Sequence, residues 1–162
     1  MDAHVRHKVR NYFINLYGEN LIYRSIGIVN WDPKLKTVLS DIETSSEEVE
    51  STLFYIDYLL LGGGKITVAT SCPETIFADV ALFVNPNDDR YYKYIDRVAI
   101  NPLTGRQMPI LTDKRILIEF GTGVLKCTPA HDFKDYEIAR ENKLPISACY
   151  GKDEILNEMA GS

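Results

Sequence analysis

The sequence predicts an α+β fold, mostly β and barrel-like, with short helices. Many short β-branched and aromatic runs follow one another through the middle of the chain. Glycine- and proline-containing turns separate them, and only two or three short stretches carry helical periodicity. The barrel-like unit is expected over residues 46–150. Residues 1–45 read as part of another unit, and 151–162 are too few to form one.

In chain order, Val5, Val9, Phe13, Leu16 and Tyr17 fall on one stripe of a helix over 5–17, with Gly18 as its stop. A short strand to Trp31, an Asp-Pro turn and a second short apolar run follow, then the exposed "SSEEVES". "LFYIDYLL" reads as a strand, Gly62-Gly63-Gly64 reverses it, and "KITVATS" returns beside it. Pro73 suits the first turn of a short helix that becomes a strand by Val84. "NPNDDRYYKYI" is loop and one helical turn, and "RVAINPLTGRQMPILTD" gives two strands about a turn near Pro102–Gly105. Val124–Thr128 is a last strand. A helix capped by Asp132 follows, with Ile138 and Ala139 inward and Leu144-Pro145 ending it.

With 45% hydrophobic and 25% charged residues, the composition is that of an ordinary globular protein. A net charge of −5 provides no basic field for a duplex, although one pocket could still grip the end of a single strand. No apolar run approaches the roughly 20 residues of a membrane span, and the N-terminus lacks a signal core. Cys72, Cys127 and Cys149 are odd in number and form no CxxC pair, so a reducing cytoplasm is the expected home.

Four patterns bear on chemistry. "LGGGKIT" lacks the spacing of a phosphate loop and reads as a hairpin. Cys72 with His131 and a carboxylate would make a cysteine hydrolase, but a lone cysteine beside a strand is usually packing. His131 and Asp132 are too few to hold a metal. Asp132 and Asp135 both sit at the positive start of a helix, which allows plain capping or a grip on a cation in a pocket. Spacing alone does not choose between those two.

"VNWDPKLKTVLSDIE", "TVATSCPET", "VNPNDDRYYKYI", "NPLTGRQMPIL" and "EFGTGVLKCTPAHDFKDYEIARENKLPI" resemble, in order, the editing insertion of valyl-tRNA synthetase. This is the connective polypeptide that splits the Rossmann catalytic domain of class I synthetases. The resemblance covers nearly the whole chain. It implies the end of the first catalytic half and a junction in 1–45, an editing domain in 46–150, and a return segment towards the catalytic domain in 151–162. The ATP signatures of a synthetase are missing, so an excised piece that activates no amino acid is expected.

The implied activity is hydrolysis of threonine wrongly joined to valine tRNA. An apolar pocket cannot strongly reject an isostere that merely adds a hydroxyl, and valine against threonine is the standing example. A second site that hydrogen-bonds the hydroxyl discriminates the other way, and Thr67, Thr70 and Ser71 are the kind of lining it needs. By resemblance, Asp135 holds the substrate ammonium. Thr70, Ser71 and Lys126 complete the catalytic group, and Asp79, Leu125, Thr128, His131 and Cys72 contact the substrate. No metal or organic cofactor is implied. The expected partners are the 3′ CCA end of tRNA(Val) carrying threonine and the remainder of the synthetase, with no membrane.

Ser71 and Cys72 depart from the family's usual Thr-Arg. Losing a charge-assisted hydrogen bond removes about 1.5–3 kcal/mol, so the terminal nucleotide is expected to bind roughly ten- to a hundredfold more weakly. The residues leave open whether Lys65 or Arg90 compensates. The alternative is an editing-defective insertion that acts only as a structural or tRNA-end-binding module.

Overall fold

The computed structural model describes residues 2–160. Met1, Gly161 and Ser162, the outermost residues of the two expected flanking segments, lie outside the described residues. Helix α1 (Ala3–Gly18) begins where the Asp2 carboxylate accepts the His4 N–H. Its expected apolar stripe is present but uncovered: no α1 residue is buried, and Val9 is 61% exposed. Strands β1 (Asn30–Asp32) and β2 (Thr37–Leu39) form a separate hairpin. Asp32 shapes its turn by accepting the N–H groups of Lys34 and Leu35.

The main sheet begins with β3 (Phe54–Leu60) and β4 (Lys65–Thr70), paired antiparallel from Phe54–Thr70 to Leu59–Lys65. The turn between them holds three consecutive glycines at φ 85°, 99° and 93°, a region that side chains rarely enter. The 3₁₀ segment Pro73–Ala78 replaces the expected helix, and β5 (Ala81–Val84) follows. Strands β6 (Val98–Ile100), β7 (Gln107–Thr112) and β8 (Val124–Cys127) complete a six-stranded sheet ordered β4-β3-β6-β7-β5-β8. All neighbouring pairs are antiparallel except β5 with β7. The two end strands, β4 and β8, pack against each other, so the sheet curls into a nearly closed barrel.

Strand alternation builds two cores. Tyr58, Leu60, Ile66, Val68, Leu82, Val84 and Ile110 fill the barrel. Ala81, Phe83 and Cys127 point outward, against Ile138 and Ala139 of helix α2 (Phe133–Glu141). Every residue of β5 is therefore buried, because both of its faces are covered. Burying one large aliphatic or aromatic side chain contributes about 1.5–3 kcal/mol.

Helix α2 ends at Glu141, earlier than Leu144-Pro145 predicts. The cause is local: Lys143 takes φ 54° and the Leu144 N–H turns back to the Ala139 carbonyl. The chain beyond it packs back on the barrel's flank. Tyr150 bridges Leu156, and Glu158–Ala160 lies against Pro73–Ala78. Trp31 donates to the Lys152 carbonyl, and Tyr136 donates to that of Ile26. No helix among the described residues is long and apolar enough to cross a membrane.

Candidate active site

Closing β4 onto β8 brings the end of one hydroxyl-bearing strand beside the strand that leads into α2. A cavity of about 750 Å³ opens there. Thr70, Ser71, Cys72, Leu125, Lys126, Thr128, His131 and Asp135 all line it, so eight of the nine site residues expected from the sequence meet in one place. The ninth, Asp79, does not. It is 0% exposed, sits beneath the cavity, and has no surface to offer a ligand.

Asp135 is 3% exposed. It turns away from its own helix end. Asp132 caps that end by accepting the Asp135 N–H at 3.0 Å. Oδ2 of Asp135 accepts the Thr128 N–H at 2.7 Å and the Thr128 hydroxyl at 3.2 Å. Oδ1 has no hydrogen-bond partner among the described residues, and no fully buried side-chain oxygen there lacks one, so Oδ1 faces the cavity. Burial, above all, pushes this carboxyl up to about 6, against the pull of Thr128.

Lys126 is 5% exposed. Its three N–H donors go to the Thr75 hydroxyl at 2.7 Å, the Thr128 hydroxyl at 3.2 Å and Asp79 Oδ1 at 3.3 Å. Asp79 Oδ2 accepts the Tyr58 phenol at 2.5 Å. Burial pushes Asp79 up to about 6 and raises the Tyr58 phenol. The cluster thus holds two carboxylates and one ammonium out of water.

The hydroxyl rim is less committed. Thr70 accepts the Cys72 N–H, which leaves its own proton free among the described residues. Ser71 touches only the Cys72 sulfur, at 3.7 Å. Thr67 is not part of this rim: its register partner is Asp57, to which its hydroxyl donates on the outer hairpin. Neither Lys65 nor Arg90 stands in for an arginine at Cys72. Lys65 pairs with Asp57, and Arg90 is held by Asp88 and the Ile118 carbonyl.

His131 does not engage Cys72. Its Nε2 accepts the Cys149 N–H at 3.0 Å and lies 3.3 Å from the Cys149 sulfur. Burial holds this imidazole below its ordinary range and pushes the Cys149 thiol up, opposite to what a thiolate nucleophile needs. Among the described residues no cluster of three or more His, Cys, Asp or Glu could hold a metal ion.

Sequence reasoning missed Thr75, Tyr58, Cys149 and the apolar rim of Leu117 and Phe120. Tyr58 had a signal: alternation turns it inward with Leu60, and a buried phenol needs a partner. Cys149 had none, being 18 positions from His131. The rim depends on Gly121 at φ 58°, where an added Cβ would come within 2.7 Å of the Ala69 side chain. That close approach sets the loop against β4.

The family described as leucyl-tRNA synthetase, editing domain, matches residues 91–159. The valine–tRNA ligase of Malacoplasma penetrans is 49% identical over 153 residues, which are 94% of this chain and 18% of that protein. The valine–tRNA ligase of Mycoplasma mycoides subsp. mycoides SC is 43% identical over 162 residues, 99% of this chain and 19% of its own length. The chain therefore spans less than a fifth of these relatives. A solved ternary complex of Agrobacterium radiobacter K84 agnB2 LeuRS with tRNA and LeuAMS shares the fold at TM-score 0.52 and 17% identity, covering 85% of this chain and 27% of that one.

Proposed function

Because the chain belongs to the valyl-tRNA synthetase family and corresponds to its editing domain, we propose that it hydrolyses the ester joining threonine to the 3′ end of valine tRNA. One observation carries this reading: a buried carboxylate, Asp135, turns an unpartnered oxygen into a hydroxyl-lined cavity whose buried charges sum to one negative. An α-ammonium supplies the missing cation.

Asp135 Oδ1 would hold the ammonium, and Thr70 and Ser71 the threonine hydroxyl. Valine in the same place leaves those groups unpaired. Phe120, 67% exposed on the rim, offers a face on which the terminal base can stack. Water adds to the ester carbonyl and the bond to the ribose oxygen breaks. The water proton passes to that oxygen, releasing threonine and a free 3′ end. Positioning and polarisation supply the rate. Residues 1–45 and 151–162 would join the domain to the remainder of a synthetase, and the tRNA body would rest elsewhere on it.

The test is deacylation of threonyl-tRNA(Val). Asp135→Ala is expected to lower the rate about a hundredfold or more. An unchanged rate would remove Asp135 from the site. A second reading, a domain that binds the tRNA end without turnover, is favoured by one feature: neither basic candidate compensates for Cys72. Binding of a hydrolysis-resistant threonyl-adenosine with no ester turnover, and turnover restored by Cys72→Arg, would select it.

A further inference from the structure

We propose that Asp79 is a positioning residue that spends the charge of Lys126 and so keeps the charge of Asp135 available for an incoming ammonium. This deepens the proposed function and rests on its placement of the ammonium at Asp135.

Geometry separates the two carboxylates. Asp79 contacts Lys126 directly, at 3.3 Å, whereas Asp135 reaches it only through the Thr128 hydroxyl. All three ammonium donors are already used, so Lys126 cannot turn to Asp135 without abandoning Thr75, Thr128 or Asp79. Tyr58 donates to the other oxygen of Asp79, which is thereby closed to any ligand. The pair is electrically complete, and Asp135 remains as the surplus charge.

Other groups do not cancel that surplus. Asp132, on the same helix end, adds negative charge and is committed to the cap. Lys134 and Glu137 line the same cavity from α2 with opposite signs, and Arg115, which also lines it, is held by Asp113 and Glu141. Burial, and then the Lys126 charge, disfavour the protonated form of His131.

Removing the Asp79 charge has a defined consequence. Asp79→Asn keeps the shape and a carbonyl oxygen for Lys126, but leaves one ammonium facing one carboxylate. An arriving ammonium then makes the buried cluster positive, where before it made it neutral. Lys126 also draws on Asp135, which lowers the pH at which that carboxyl takes a proton.

The experiment measures binding of a hydrolysis-resistant threonyl-adenosine and of its N-acetyl counterpart, which lacks the ammonium, across pH. The parent is expected to prefer the free amine by about tenfold or more, losing it as pH falls through about 6 and Asp135 or Asp79 takes a proton. Asp79→Asn is expected to lose that preference across the pH range and to bind the N-acetyl form within about twofold of the parent. Tyr58→Phe removes a bond that helps keep Asp79 ionised, so it is compared at pH 8, where the carboxylate keeps its charge and the preference stays near the parental one. Asp79→Asn retaining the full preference, losing both ligands equally, or being matched by Tyr58→Phe would overturn the proposal. A parent that never prefers the amine overturns the ammonium reading itself, which separates the two failures.

Discussion

Carboxylates meet cations in two regions of this molecule, and the regions push them in opposite directions. Around the loops outside the barrel, Asp88 takes both prongs of the Arg90 guanidinium at 2.8 and 2.6 Å, and Asp113 takes Arg115 at 2.9 and 2.6 Å. Those guanidinium bonds hold both carboxyls below the ordinary range. At the cavity, Asp79 holds the one ammonium, Asp135 meets it only through Thr128, and both carboxyls are pushed up to about 6 by burial. The loops are electrically finished; the cavity is one cation short. A surplus of buried charge costs stability, and a fold tolerates it where a ligand completes the set.

Asp135→Asn tests that contrast most severely, because activity and stability should move apart. Hydrolysis of the threonyl ester falls about a hundredfold or more. Stability rises at pH 7, on the order of 2 kcal/mol, since the uncharged amide avoids the burial cost. The sign follows from the raised carboxyl. Between about 4 and 6 the folded parent holds a proton that the unfolded chain has lost, so parental stability falls as pH rises through that window. The advantage of Asn therefore shrinks as pH drops towards 4. Chemical denaturation of both proteins at pH 7, 5.5 and 4 measures it, and a variant less stable than the parent at pH 7 would mean that the cavity is not short of charge.

Asp88→Asn should behave in the reverse way and more mildly. Arg90 also ties to the Ile118 carbonyl, in the loop that forms the cavity wall, so the clip anchors that wall. Losing the fork is expected to lower the melting temperature by a few degrees at pH 7. Here the folded carboxyl is depressed, so its contribution is present above the ordinary range and lost only as pH falls through the lower folded value. The gap between parent and variant should persist at pH 5, where that of Asp135→Asn is already closing. Melting curves at both pH values decide this.

How much of this was legible in the sequence depends on the range of each interaction. Alternation and turn chemistry located the β3–β4 hairpin, β8 and the Asp132 cap, all decided within a few residues. Motif resemblance gathered residues as distant as Thr70 and Asp135, which local physics cannot join. What escaped was depth. Strand period places Lys126 on a face but does not say that the barrel closes over it. The resemblance makes Asp79 a substrate contact, yet the 3₁₀ segment ends there and turns it inward beneath Lys126. The α1 stripe follows from its periodicity, but only Leu16 of it is even partly covered among the described residues.

The smallest effect is expected at an ion pair whose contact is short but exposed. Lys65 reaches Asp57 at 2.6 Å, closer than Lys126 lies to Asp79, and Thr67 adds a third partner. Both charged side chains stand in water, 62% and 45% exposed, so solvent already satisfies each one and the close approach adds little. Lys65→Ala should leave melting temperature and threonyl-ester hydrolysis unchanged within error. Because Lys65 faces outward from the hairpin while the cavity opens at its far end, a drop in hydrolysis would place the tRNA end across the barrel's outer face. The division between a finished exterior and an unfinished cavity would then be drawn in the wrong place.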